Sequence, residues 1–359
     1  MKAAVLFSTE TDRLELVDDI TILDPGPQEI TVKIMASGVC HSDLSILNKT
    51  MPQELPAVLG HEGAGIVTAV GAGAQRVKEG DHVIIAWTAP CGFCINCSGR
   101  KRPELCSSMY TTGALTPRFR QGTTPVHGMS GTGTFSEYAT IQERAAIVID
   151  DDVPFEIAAL IGCGVTTGVG AAVNCAKVTP GSSVVVFGCG GVGIAAIQGA
   201  RLAGASTFVA VDVVEQKRDL ALQFGATQCC SPDELEDART ELTGDGFDFA
   251  IEAIGLAKTM RMAWDAIRRG GTACIVGAGR EEDKLEFSAF EVFFNEKTLV
   301  GSYYGSSDVR SDFHRFLRLW KAGQLDLEGM ITRRIALEEV NSAFDAMEAG
   351  EVVRTVITF

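Results

Sequence analysis

Four cysteines within sixteen residues, Cys91-x2-Cys94-x2-Cys97-x8-Cys106, make the most specific local pattern in the chain. Four thiolates so spaced can surround one tetrahedral zinc ion at Zn–S distances of ~2.3 Å. Four protein ligands leave no open position, so such an ion would be structural. A second pattern is Gly188-Cys189-Gly190-Gly191-Val192-Gly193, which fits G-x-G-x-x-G. It follows a continuous apolar run and opens a helical pattern, and Asp212 closes the next apolar run, 19 residues after Gly193. Such glycines let a backbone approach a pyrophosphate held at the positive end of a helix. Asp212 would accept hydrogen bonds from the adenosine ribose and repel a 2′-phosphate, which favours NAD over NADP. A third set is less explicit: Cys40-His41-Ser42-Asp43, Gly60-His61-Glu62 and Cys163. The first two place a zinc-type ligand beside a carboxylate, but spacing alone leaves open whether these residues are ligands or small buried side chains.

The elements that must carry these groups change character along the chain. Residues 1–85 contain short alternating runs separated by Gly and Pro (KAAVLF, LELVDDI, EITVKIMASGV), which predicts a largely antiparallel, barrel-like domain. Residues 86–134, rich in Cys, Gly, Thr and Ser, lack periodicity and need a staple. From about 165 to 303, buried-strand runs alternate with helical patterns: SSVVVFG, TFVAVD, FDFAIEAIG, TACIVGAG and, last, TLVGSYYG. That alternation predicts an α/β doubly wound parallel sheet. The tail reads as two helices, SDFHRFLRLWKAG and LEEVNSAFDAMEAG, and a closing strand, VVRTVITF. Cys229-Cys230 read as part of a turn before Ser-Pro, and Glu281-Glu282-Asp283 as a solvated loop. His82 and His127 have no ligand-like company.

Length and charge bound the possibilities. At 359 residues two domains are expected, and 46% hydrophobic with 21% charged residues is an ordinary globular balance. A net charge of −15 argues against nucleic acid and anionic membranes as partners. No run of about 18 uninterrupted apolar residues suggests a bilayer span. The start, MKAAVLFSTE, reads as a first strand and not as a signal peptide. A cytoplasmic location follows as the expectation, with the 11 cysteines reduced and serving as metal ligands or buried thiols.

From residue 1 to 359 the chain resembles the zinc-dependent medium-chain alcohol dehydrogenases, in particular the liver-type, long-loop members. The resemblance rests on GVCHSD, LGHEGAG, the four-cysteine lobe, GCGVTTG, GCGGVG with its downstream Asp, and VVRTVITF, all in family order. It implies a Rossmann domain over 165–303 and a mostly β, GroES-like barrel catalytic domain over 1–164 and 304–359. It also implies NAD, two zinc ions per subunit, one catalytic and one structural, and a homodimer or tetramer. The implied reaction is reversible oxidation of a primary alcohol, aliphatic or aromatic, to an aldehyde. Two enzymatic alternatives share the scaffold: a thiol-adduct formaldehyde dehydrogenase, and an alcohol:acceptor oxidoreductase with permanently bound NAD.

By the same resemblance Cys40, His61 and Cys163 hold the catalytic zinc with a fourth position open, and Glu62 and Asp43 are the carboxylates beside it. Ser42 takes the alcohol proton. His41 and Arg354 contact pyrophosphate, Lys217 the adenosine ribose, and Thr167, Val276 and Ala278 lie on the cofactor side. Gly188, Gly190, Gly191, Val192, Gly193 and Asp212 complete the coenzyme set. Ser45 stands where relatives often have a relay His. The acidic and basic residues of the glutathione-using members are missing at Met51 and near Tyr110, and with Trp87 an apolar pocket is implied. The loop before Cys106 is one residue longer than is usual.

Overall fold

The computed structural model describes residues 1–108 and 116–359, and the chain divides into two compact units. The first comprises Met1–Cys163, Asp308–Lys321 and Leu327–Phe359; the second comprises Gly164–Ser307 and Ala322–Asp326. The sequence reading puts the crossings at 164/165 and 303/304; the units divide at 163/164 and 307/308, and a short piece, 322–326, joins the second unit.

In the first unit, β-branched and aliphatic residues alternate along strands that build two sheets. One sheet runs Glu15–Val17, Ala3–Leu6, Ala57–Val58, Thr124–Gly128, Phe119–Gln121, Ile20–Ile22. The other runs Ala146–Val148, His82–Ile85, Glu62–Val70, Glu29–Val39, Arg354–Thr358, Ile331–Ile335, with Tyr138–Gln142 also paired to Glu29–Val39. Most pairs are antiparallel, as expected for the GroES-like fold; Ala57–Val58 with Thr124–Gly128 and Ile331–Ile335 with Arg354–Thr358 are parallel. The core is formed by the fully buried Val5, Ile30, Val32, Ile34 and Phe119 on one side and Leu6, Leu59 and Phe135 on another.

The second unit holds six parallel strands in the order Gln228–Cys230, Thr207–Val211, Ser183–Phe187, Phe247–Glu252, Ile267–Ile275, Thr298–Gly301. Counted along the chain this is 3-2-1-4-5-6, the dinucleotide-binding order whose crevice opens at the carboxyl ends of the first and fourth strands. Val184, Val185 and Val186 are completely buried, as a strand covered on both faces requires. Cys229 and Cys230 lie in the edge strand, not in a turn: they pair with Ala210 and Val211, and the Ser-Pro signal starts the next helix instead. The tail also contains a strand the pattern does not reveal, Ile331–Ile335, whose ITRRI sequence puts two arginines in its interior. Glu281–Asp283 lie in an exposed loop.

One helical stretch, Phe155–Ala176, is long and apolar enough by composition to cross a bilayer, but 83% of its apolar window is buried within the protein. It is a core helix, and its π-helical turn Ile161–Val165 carries Cys163.

Candidate metal centres and coenzyme site

Cys40 ends the strand Glu29–Val39 in extended conformation and caps the helix His41–Leu47. Asp43, at the third helical position, closes the cap: Cys40 N–H donates to its Oδ2 at 3.0 Å. The other oxygen accepts Gly60 N–H at 3.0 Å and lies 3.3 Å from His61 Nδ1. One fully buried carboxylate therefore fixes both the Cys40 turn and the His61 ring. With Nδ1–H directed at Asp43, the lone pair of His61 sits on Nε2, which is buried and has no hydrogen-bond partner among the described residues. Gly60 is needed for this turn: its φ is +85°, and a Cβ there would meet Phe135 N at 2.6 Å.

The ligand atoms of Cys40, His61, Glu62 and Cys163 lie within 4.8 Å of one another, and all four residues are buried. Their electrostatics call for a cation. A hydrogen bond from Cys163, with His61 and Arg354 nearby, outweighs burial and holds the Cys40 thiol well below its usual range. Burial opposes charge on His61, yet Asp43 and Cys40 lift it to about 10. A divalent metal bound at Nε2 would take the place of any proton there, so its affinity would fall as the pH falls. The donor set, two sulfurs and one imidazole nitrogen, suits zinc with an open position.

Glu62 Oε2 is ion-paired to Arg354 Nη2, with side chains 0% and 5% exposed, while Glu62 Oε1 is buried with no partner among the described residues. The strand register explains how residues 292 apart in sequence meet: Gly38 pairs with Glu62 on one side and with Val356 on the other. A Cβ on Gly38 would lie 2.9 Å from Arg354 Nη2 and still closer to the carboxylate. The ion pair occupies the space a side chain at 38 would take.

In the four-cysteine lobe the sulfurs of Cys91 and Cys97 are 3.9 Å apart, those of Cys94 and Cys97 3.5 Å, and those of Cys94 and Cys106 4.0 Å. The edge of a tetrahedron with ~2.3 Å from centre to corner is about 3.8 Å. The sulfurs also accept backbone N–H groups, Cys94 N–H to Cys91 and Cys91 N–H to Cys106, both at 3.3 Å. Without a metal their protons are unevenly held: Ser107 and backbone donors draw Cys94 down to about 5, while burial and neighbouring sulfurs push Cys97 up to about 12. Arg310 anchors the lobe by donating to Pro90 O at 2.9 Å.

In the second unit the glycine loop joins Ser183–Phe187 to the helix Gly191–Leu202. Gly188 has φ +90°, and a Cβ added to Gly190 would have nothing within 4 Å, so that face of the loop is open. A Cβ on Gly193 would sit 1.7 Å from Gly188 O. Gly193→Ala is therefore expected to push the helix off the loop. About 1–3 kcal/mol of stability should be lost through overpacking. Coenzyme affinity should weaken at least about tenfold, the equivalent of ~1.4 kcal/mol. Thermal unfolding and NAD titration measure the two effects.

Asp212 follows the strand Thr207–Val211. Its Oδ2 accepts Cys189 N–H at 2.8 Å and its Oδ1 accepts Val214 N–H at 2.9 Å, so it shapes the glycine loop. Lys217 is half-buried in the first turn of Glu215–Gln223. Val192 and Thr167 are half-buried near helix starts, and Val276 N–H donates to Glu252 O at 2.8 Å. Sequence reasoning missed the exposed Val213 (78%) and Ile254 (44%), apolar groups flanking the loop. A large apolar residue one position after Asp212 and two positions after Glu252 was the available signal.

Among substrate-side residues, Ser42 Oγ is 3.7 Å from Cys40 Sγ, and Trp87 stands edge-on to His61 at 6.3 Å between ring centroids. His41 is exposed in the helix's first turn, Ser45 is half-buried, and Met51 is 36% exposed. Tyr110 lies outside the described residues. His82 and His127 stand 3.9 Å and 3.6 Å from Asp151 and Glu54, and neither belongs to a metal-type cluster among the described residues.

Residues 26–151 match the alcohol dehydrogenase GroES-like domain and residues 191–322 the zinc-binding dehydrogenase family. The chain is 38% identical to S-(hydroxymethyl)glutathione dehydrogenase of Escherichia coli O157:H7, over 100% of this chain and 99% of that protein. Among solved structures it is similar to benzyl alcohol dehydrogenase from Acinetobacter calcoaceticus (32% identity, TM-score 0.91, 100% and 99% covered). It is equally similar to an alcohol dehydrogenase zinc-binding domain protein from Burkholderia ambifaria (33%, TM-score 0.93, 100% and 98%). With full-length similarity, both metal-type clusters and the dinucleotide-binding sheet in place, the chain belongs to the zinc-dependent medium-chain alcohol dehydrogenase family and is an NAD-dependent oxidoreductase.

Proposed function

We propose that this enzyme reversibly oxidises a primary alcohol, aliphatic or aromatic, to its aldehyde, with NAD as hydride acceptor. The observation that carries the reading is the Cys40–His61–Cys163 cluster: His61 Nε2 has no hydrogen-bond partner among the described residues, the Ser42 hydroxyl lies by Cys40 Sγ, and Trp87 packs T-shaped against His61. Zinc held by these three residues would polarise the substrate oxygen and lower its proton affinity. Ser42 takes the proton from that oxygen. Ser45 offers a hydroxyl and no imidazole to the next transfer, so the proton leaves through water or another hydroxyl. Asp43 keeps His61 in the tautomer that can ligate, and Arg354 balances the charge of Glu62. Trp87 gives the pocket an aromatic wall suited to small or flat substrates.

On the coenzyme side, Gly188, Gly190, Gly191, Val192 and Gly193 receive the pyrophosphate, Val213 and Ile254 flank the adenine, and Asp212 and Lys217 bind its ribose. His41 and Arg354 are read as further pyrophosphate contacts and Thr167, Val276 and Ala278 as lining for the nicotinamide half. Asp212→Asn removes the charge that repels a 2′-phosphate while leaving one acceptor oxygen for the loop amides. The NADP/NAD ratio of kcat/KM is expected to rise at least about tenfold, or ~1.4 kcal/mol of discrimination. An unchanged ratio would contradict the role of Asp212.

A homodimer is proposed through the second unit. The strand Thr298–Gly301 is a sheet edge, and Phe290, Phe293, Phe294 and Leu299 beside it are 67%, 80%, 47% and 39% exposed, an unusual density of apolar surface. A cytoplasmic location fits eleven cysteines without a disulfide.

The Escherichia coli relative's name favours a second reading, oxidation of a thiol–formaldehyde adduct. Met51 offers no charge to the carboxylates of such an adduct. Assays with primary, secondary and benzylic alcohols, and with formaldehyde with and without glutathione, separate the two. Turnover of simple primary alcohols without thiol supports the proposal; strict thiol dependence overturns it. Should purified protein carry stoichiometric nucleotide and ignore added NAD, the bound-coenzyme alternative holds instead.

A further inference from the structure

Two cysteines of the second unit belong to neither metal centre and take no part in the proposed reaction. Cys274, on the strand Ile267–Ile275, is fully buried and its Sγ–H donates to Ala171 O at 3.8 Å. Cys175 stands one helical turn after Ala171, in the segment Ala171–Ala176, and its half-buried Sγ–H donates to Gly301 O at 3.6 Å. Gly301 is the register partner of Ile275, the residue next to Cys274. Each sulfur thus contacts main chain of the element that carries, or pairs with, the other cysteine, which brings the two side chains within reach of each other. The Cys175 side chain and burial push the Cys274 thiol well up, so it stays protonated. Cys175 is the sulfur of the pair that solvent reaches.

We propose that Cys175 and Cys274 form a redox-modification site, closing a reversible disulfide when the protein meets a peroxide. The Cys175 sulfur attacks one peroxide oxygen, the O–O bond breaks, and a sulfenic acid and one water form. The Cys274 sulfur then attacks that sulfenic sulfur; its proton leaves with the displaced hydroxide as a second water. Two electrons pass from the two sulfurs to the peroxide, and a dithiol returns them. The neighbouring pair Cys229–Cys230 cannot compete by bonding internally, because successive strand residues point to opposite faces. Closing the bond withdraws the Cys175 thiol from the Gly301 carbonyl at the end of the edge strand.

The test uses zinc-loaded protein treated with hydrogen peroxide and then counted for thiols after denaturation. The count should fall from eleven to nine, with zinc content unchanged, and return to eleven with dithiothreitol. Tryptic mapping with fragment-ion sequencing should show Cys175, and not Cys163 of the same 145–177 peptide, linked to the peptide containing Cys274. Cys175→Ser should abolish the link; Cys274→Ser should leave a sulfenic acid at 175 that dimedone traps. An unchanged thiol count, a link between other cysteines, or zinc release preceding thiol loss would each overturn the proposal. The peptide map on the natural chain decides the matter even if a variant folds poorly.

Discussion

Alanine at position 163 is expected to remove one of two zinc ions per chain and to lower kcat/KM by at least about a thousandfold, while NAD still binds. A metal acting as Lewis acid contributes several kcal/mol to the transition state, and each ~1.36 kcal/mol is a factor of ten in rate. Cys163 is one of only two sulfurs in its cluster and also supplies the hydrogen bond that most favours the Cys40 thiolate. Its loss leaves two strong donors, fewer than the three that open zinc sites use. The remaining zinc should resist chelation, because Cys91, Cys94, Cys97 and Cys106 form a separate tetrahedral set. Coenzyme binding should persist because the glycine loop and Asp212 belong to the other unit. Metal analysis, NAD titration and steady-state kinetics on one preparation give the three readouts. Two retained zinc ions with normal turnover would refute the ligand assignment.

What was legible in the sequence follows from how local each signal is. The four-cysteine lobe spans sixteen residues and the glycine loop six, so spacing nearly determines geometry, and the sulfur separations of 3.5–4.0 Å match a tetrahedron. The alternation of buried strands and helices over 165–303 was equally plain, since a strand covered on both faces must be apolar throughout. Cys40, His61 and Cys163 are different. Taken singly they look like any buried residue, and only the family resemblance grouped them. Their convergence depends on the Gly38–Glu62 register and a π-helical turn, neither of which leaves a periodic trace. Asp43 was legible through the family resemblance as a carboxylate beside the metal, but not as the common anchor of Cys40, Gly60 and His61. The edge strand Gln228–Cys230 escaped because three residues before Ser-Pro carry more turn signal than strand signal.

The buried pair Glu62–Arg354 is the feature the sequence disclosed least, and it supports the second large prediction. Replacing Arg354 by Met keeps most of the side-chain volume but leaves the Glu62 carboxylate in a fully buried site without its cation. Breaking one partner of a buried pair costs about 3–5 kcal/mol, because the remaining charge is uncompensated. Removing both charges costs far less, since neither group then has to shed water unpaired. Arg354→Met is therefore expected to lower the folding equilibrium constant by about two to three and a half orders of magnitude at ~1.4 kcal/mol per tenfold. The double variant Glu62→Gln, Arg354→Met should regain most of that loss. Denaturant unfolding of the zinc-loaded proteins measures it. The same variants separate two roles for Arg354. If it only balances Glu62, the double variant recovers stability together with KM for NAD. If it also touches the pyrophosphate, stability returns while KM for NAD remains raised. Equal stability of the single and double variants would show that Glu62 does not depend on Arg354, and the reading of Gly38 as the space for this pair would fall with it.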